Sequence, residues 1–161
     1  MAQFLIALLA LTLGAPYPDA KLAHLWRDKP VLLVPQATCD APLPRIADTR
    51  IHVVGICKGT LPPAPVLVDT SGIVRRMVHE DAAAEVRAWF DGQSIYRAQC
   101  ARCHGDDGAD TTYPGTRALT GIGNRHSEDE ILELVRRAGF VDLHQLDEHS
   151  RRALAIYVSG L

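Results

Sequence analysis

The sequence predicts an α+β protein, with a helical C-terminal half over residues 83–161 preceded by a small α/β module over residues 21–82. Two observations carry this reading. Between Lys21 and Glu80, short β-branched runs alternate with turn signals; beyond Asp81 the apolar residues recur at helical spacing behind capping residues. The 161 residues, 47 % of them apolar, suffice for a real core in one large or two small domains, and the change of pattern favours two.

Phe4–Leu13 is an apolar run too short for the ~20 residues that span a bilayer, so residues 1–20 read as a signal peptide or apolar leader. No Lys or Arg precedes the run, and Pro16 hinders cleavage after Ala15. Cleavage after Ala20 is the alternative, and a buried first strand or helix is the competing reading. Next, Val31–Val34, Ile51–Ile56 and Val66–Asp69 read as strands, and Ile73-Val74 closes a hairpin with the last of these around Ser71-Gly72. Pro42, Pro44, Pro62, Pro63 and Pro65 punctuate this part, which has no internal repeat. Asp81–Phe90 is an Ala-rich amphipathic helix. Ser127-Glu128-Asp129-Glu130 is a capping box that starts a helix with the apolar face Ile131, Leu132, Leu134 and Val135, ending at Ala138-Gly139. Leu146-Asp147 opens a last helix through Ala153–Val158.

A formal charge of −2 without any Lys/Arg block argues against nucleic acid or an anionic membrane surface as partner. Membrane contact is expected only through the leader, if it stays uncleaved. The pairs Arg75-Arg76, Arg136-Arg137 and Arg151-Arg152 are candidates for a docking rim, with solvated helix faces as the plainer reading.

The run Cys100-Ala101-Arg102-Cys103-His104 has the spacing of a c-type haem attachment site. Two thiols add across the two porphyrin vinyl groups, and the histidine that follows becomes the proximal iron ligand. One covalent haem c is expected, held through Cys100 and Cys103. Bacterial attachment of this kind takes place outside the inner membrane, which agrees with a leader and a periplasmic or otherwise exported protein. In such a compartment Cys39 and Cys57 are expected to form a disulfide worth about 3 kcal/mol in the chain-entropy picture, a reactive thiol being the alternative.

Residues Asp91–Gly105 and the order of elements after them resemble the small monohaem cytochromes c, over roughly the last seventy residues. Gly92 and Tyr96 occupy the small and aromatic places of that family's first helix. The resemblance implies that Pro114 supplies the carbonyl bonded by the far nitrogen of His104. It also makes Leu119, with Thr111, Tyr113 and Arg117, a candidate for the haem edge or a propionate, ordinary loop residues being the alternative. The family's usual methionine ligand is missing: no Met occurs beyond Cys103, and Met77 precedes the motif. Family spacing puts the distal ligand four or five residues after Gly139, so His144 is expected to complete bis-histidine ligation. His126, His149 and an open or externally ligated iron are the alternatives. A methionine ligand raises the potential, so a low-potential haem follows.

The N-terminal module has a fainter resemblance to a degenerate, truncated thioredoxin-like fold. Trp26–Val34 resembles the strand before that family's redox centre, Cys39 lies near the first active cysteine, and Pro63 matches the cis-proline. Pro42 stands where the second cysteine of a CxxC would be, and Ile56 to Pro63 leaves no room for a crossover helix. A small unrelated α+β cap is the alternative.

Together these features point to a one-electron transfer protein or subunit, without substrate turnover of its own. Its partner is a dehydrogenase, reductase or oxidase. The competing readings are a haem-based redox or gas sensor or accessory subunit, and a thiol–haem oxidoreductase using Cys39 and Cys57.

Overall fold

The computed structural model describes residues 11, 13–58, 61–79, 81–111, 113–138 and 141–161, with nothing to be said of the side chains of residues 141 and 142. Most of the expected leader, residues 1–10 and 12, lies outside the described residues.

Four strands form one sheet: β1 (Val31–Pro35), β2 (His52–Ile56), β3 (Val66–Val68) and β4 (Val74–Met77), in the order β2-β1-β3-β4. β1 pairs parallel with β2, in register from Val31↔His52 to Pro35↔Ile56, and antiparallel with β3, which pairs antiparallel with β4. The central strands are covered on both faces, which is why they read as unbroken apolar runs rather than as alternation. Strand periodicity sends Leu32, Val34 and Leu67 into one core, shared with Trp89, Tyr96 and Leu154 of the helices. Val31, Leu33, Val66 and Val68 point the other way, onto Tyr17 and Trp26. The larger core therefore runs across the sequence boundary at 82/83.

The hairpin forms around Ser71-Gly72. Asp69 Oδ1 accepts the N–H groups of Ser71 (2.8 Å) and Ile73 (3.0 Å), and Gly72 sits at φ +79°, a conformation that suits glycine. The parallel β1–β2 pair is joined through residues 36–51 without a helix, and Cys39 is disulfide-bonded to Cys57, tying the start of that connection to the end of β2. The likeness of Pro63 to a cis-proline is not carried into the structure, since no cis peptide occurs among the described residues. Leu13–Tyr17, expected to belong to the leader, packs on the module. Gly14 N–H donates to the Val74 carbonyl, Tyr17 N–H to that of Gly72, both at 2.8 Å, and Tyr17 is buried.

Among the described residues four α-helices follow: α1 (Ala82–Gln99), α2 (Ala101–His104), α3 (Glu128–Arg137) and α4 (Glu148–Ser159). Asp81 caps α1 by accepting the N–H groups of Ala83 and Ala84 at 3.0 Å. The helix expected to end at Phe90 instead continues through Gly92 to Gln99. Gly92 does not break it, because its missing side chain is where α4 crosses: a Cβ there would lie 2.0 Å from the Ala153 carbonyl oxygen. The capping box of α3 forms as predicted, and Asp147 caps α4 through the Ser150 N–H at 2.7 Å. Arg76 on β4, 8 % exposed, donates to Glu85 near the start of α1 at 2.7 Å and also to Glu128 of α3. Arg75 beside it bonds Asp69 (2.7 Å) and the Gly160 carbonyl (3.0 Å). The sheet is thus fastened to both the beginning and the end of the helical half. Among the described residues no helix is long and apolar enough to cross a membrane.

Candidate haem-attachment site

The site begins where α1 ends. Cys100 closes α1 and opens the single turn of α2, its carbonyl accepting the N–H groups of Cys103 and His104, each at 3.0 Å. Residues i, i+3 and i+4 of a helical turn share a face, so Cys100, Cys103 and His104 all line one cleft. Gly105, at φ +74°, stops the turn. Tyr96 is fully buried and donates its hydroxyl to the Gly105 carbonyl at 2.7 Å, pinning the attachment turn from behind; burial holds its phenol well above the usual pKa. Tyr96 is therefore a positioning residue rather than part of the cleft wall.

Both cleft cysteines are free thiols, and burial, reinforced by neighbouring Cys103, pushes the Cys100 thiol up to about 11. The His104 Nδ1 lies 3.1 Å from the Arg117 carbonyl oxygen. A carbonyl only accepts, so Nδ1 carries the hydrogen, and in the neutral ring this is the tautomer that leaves the Nε2 lone pair for a metal. The acceptor is Arg117, not Pro114. Pro114 is exposed three residues earlier, and the intervening Gly115, at φ +83°, turns the chain so that a later carbonyl reaches the ring.

Gln99 and Arg102 also line the cleft beside the attachment turn, and the remainder is apolar. Leu119 and Ile122 come from the loop after α2, Ile131, Leu134, Val135 and Ala138 from α3, Leu143 from the 3-10 turn Val141–Gln145, and Leu154 and Val158 from α4. About 760 Å³ of atom-free space, part of it open to solvent, lies between them. Leu119 lines the cleft, while Thr111 and Tyr113 are exposed and off it, and Arg117 contributes its carbonyl rather than its side chain.

His144 departs from expectation. It is exposed and off the cleft, and its neighbour Leu143, 7 % exposed, takes the inward place on that turn. His126, 4.0 Å from Glu130, and His149, in the first turn of α4, are exposed as well. Sequence reasoning found the apolar face of α3 but not its use as a cleft wall, and it missed Leu143. The signal available was the spacing of Ile131, Leu134, Val135 and Ala138 on one helical face.

Two thiols and an imidazole, side by side on one wall of a largely apolar cleft, fit covalently attached haem by their donor chemistry. A c-type cytochrome domain in the C-terminal half is supported by the match of a family model to that part of the chain. Residues 87–158 match the family described as cytochrome C oxidase, cbb3-type, subunit III. No curated protein and no solved structure gives a match.

Proposed function

We propose that this chain is an exported electron-transfer protein or subunit carrying a single haem c, which Cys100 and Cys103 would bond and whose iron His104 would ligate. The observation that carries the reading is the convergence of these three side chains on one apolar cleft. Haem supplies a ferric/ferrous couple. The chain does the rest: the two cysteines fix the group to α2, the Arg117 carbonyl orients the imidazole and raises its basicity, and the α3 and α4 side chains exclude water. With no methionine beyond Cys103, nothing raises the potential as a thioether ligand does, so a low-potential couple is expected.

The partner is a second redox protein, and the description of the matched family favours an oxidase over a dehydrogenase or reductase. The Cys39–Cys57 disulfide and the attachment motif both favour an oxidising compartment such as the periplasm. The packing of Leu13–Tyr17 on the sheet supports a mature chain that keeps this segment, so cleavage after Ala20 is disfavoured. We assign the disulfide a structural role, closing the β1–β2 connection.

Spectroelectrochemical titration of the protein matured with haem tests the proposal. A single reversible one-electron wave, at lower potential than methionine-ligated cytochromes c, is expected. An irreversible response, or turnover with a thiol donor that Cys39→Ser abolishes, would overturn the carrier reading.

A further inference from the structure

We propose that the iron of this site has His104 as its only protein ligand, and that its sixth position takes a neutral diatomic molecule such as carbon monoxide or nitric oxide. The inference rests on the haem reading above and departs from the bis-histidine arrangement that spacing suggests.

Three observations lead to it. First, the only described cleft residues with a side chain suited to strong coordination of haem iron are Cys100, Cys103 and His104, and the haem bonds consume both thiols. The contributions of α3 and the following turn are Ile131, Leu134, Val135, Ala138 and Leu143, all aliphatic. Residues 139–142 between them, Gly-Phe-Val-Asp, carry no imidazole, thioether or amine.

Second, the turn that holds His144 is anchored with Leu143 inward. Leu143 belongs to the main core, and Arg151 of α4 donates to the His144 carbonyl at 3.1 Å. Arg151 also faces Glu148 at 3.9 Å, and Glu148 pairs in turn with Arg136 of α3. Turning His144 inward would expel a buried leucine and dismantle this clamp. Third, His126 sits beside the carboxylate of Glu130 before α3, and His149 lies on the exposed side of the first turn of α4.

The polar side chains of the cleft, Gln99 and Arg102, belong to the end of α1 and to α2 beside the thiols, so the wall built by α3 and the following turn is aliphatic throughout, and its chemistry selects the ligand class. Aliphatic side chains offer neither a hydrogen-bond donor to a bound, partly charged oxygen nor compensation for an anion taken out of water. A neutral diatomic needs neither. Binding is a simple coordination: the ligand's lone pair fills the vacant position, and no electron or proton leaves the site.

The test uses holoprotein purified from a host that attaches c-type haem. Low-temperature EPR of the ferric form is expected to be high-spin, and the ferrous form to bind carbon monoxide at ambient pressure with a shifted Soret band, alike in wild type and His144→Ala. Leu143→His, which puts an imidazole on the inward side, is expected to turn the spectrum low-spin and slow carbon monoxide binding at least tenfold. A low-spin bis-imidazole spectrum in the wild type would overturn the inference, and its loss in His144→Ala, His126→Ala or His149→Ala would name the missing ligand. A low-spin spectrum surviving all three changes would overturn it too. A product without bound haem would refute the haem reading itself, an outcome told apart by its lack of a haemochrome spectrum.

Discussion

Gly92→Ala is the sharpest test of how this fold positions its site, because two physical effects of opposite sign compete there. Alanine in a helix interior is better than glycine by about 1 kcal/mol, so propensity alone predicts a more stable protein. The structure predicts the reverse. A Cβ at Gly92 would lie 2.0 Å from the Ala153 carbonyl oxygen and 2.8 Å from the Tyr157 Cβ. The first partner is backbone, so no rotamer change relieves the contact; α1 and α4 must part by about 1 Å, a gap that forfeits a quarter to a half of each van der Waals well along the seam. The seam holds Trp89, Tyr96 and Leu154, all essentially inaccessible, with the rings of Trp89 and Tyr96 tilted against Tyr157 at centroid distances of 5.4 and 5.2 Å. Overpacking of this severity costs about 3–4 kcal/mol, at or just beyond the upper end of the usual range, leaving a net loss of about 2–3 kcal/mol. For a chain of this size that lowers the thermal midpoint by about 4–12 °C, read by circular dichroism. A midpoint unchanged or raised would refute the close crossing and with it the placement of Tyr96 behind the attachment turn.

Other perturbations follow from the same structure. Arg76→Met leaves Glu85 and Glu128 without their shared guanidinium; Glu128 is 40 % exposed and can rehydrate, so the expected loss is about 2 kcal/mol by urea denaturation, with Arg76→Lys losing less. Cys39→Ser opens an 18-residue separation and is expected to cost about 3 kcal/mol by the same assay without changing the visible spectrum of the holoprotein. Acid should weaken the protein through its caps and surface pairs. The carboxyls of Asp48 (hydrogen-bonded by Arg50), Glu130 (by Ser127) and Asp147 (by the Ser150 N–H) are held below their ordinary values. A carboxylate lowered in the folded state stabilises above its unfolded pKa and loses that contribution as pH falls through the folded one. The thermal midpoint should therefore stay level from pH 7 to about 5 and fall below about pH 4, and a midpoint that rises on acidification would contradict the pairing.

Much of the site was legible because its chemistry is local in the chain. The attachment turn, the Ser127–Glu130 capping box and the Ser71-Gly72 hairpin each span a few residues, and their hydrogen bonds involve neighbours in sequence. What escaped was long-range or carried by the backbone. The β1–β2 pairing and the core common to sheet and helices join residues far apart, and apolar runs do not announce their partners. The ring of His104 is held by the Arg117 carbonyl, an atom that every residue possesses, so no side-chain identity marks it. His144 and Leu143 are adjacent on a short 3-10 turn, where counting from a glycine cannot decide which faces inward; the apolar core took the leucine and left the imidazole in water.

The central claim is that Cys100 and Cys103 bind haem through thioether bonds. Its most direct test is the intact mass of the protein, matured in a host that attaches c-type haem, measured after acid and organic extraction. The chain is predicted to keep the mass of one haem; a colourless chain at its bare polypeptide mass would contradict the account.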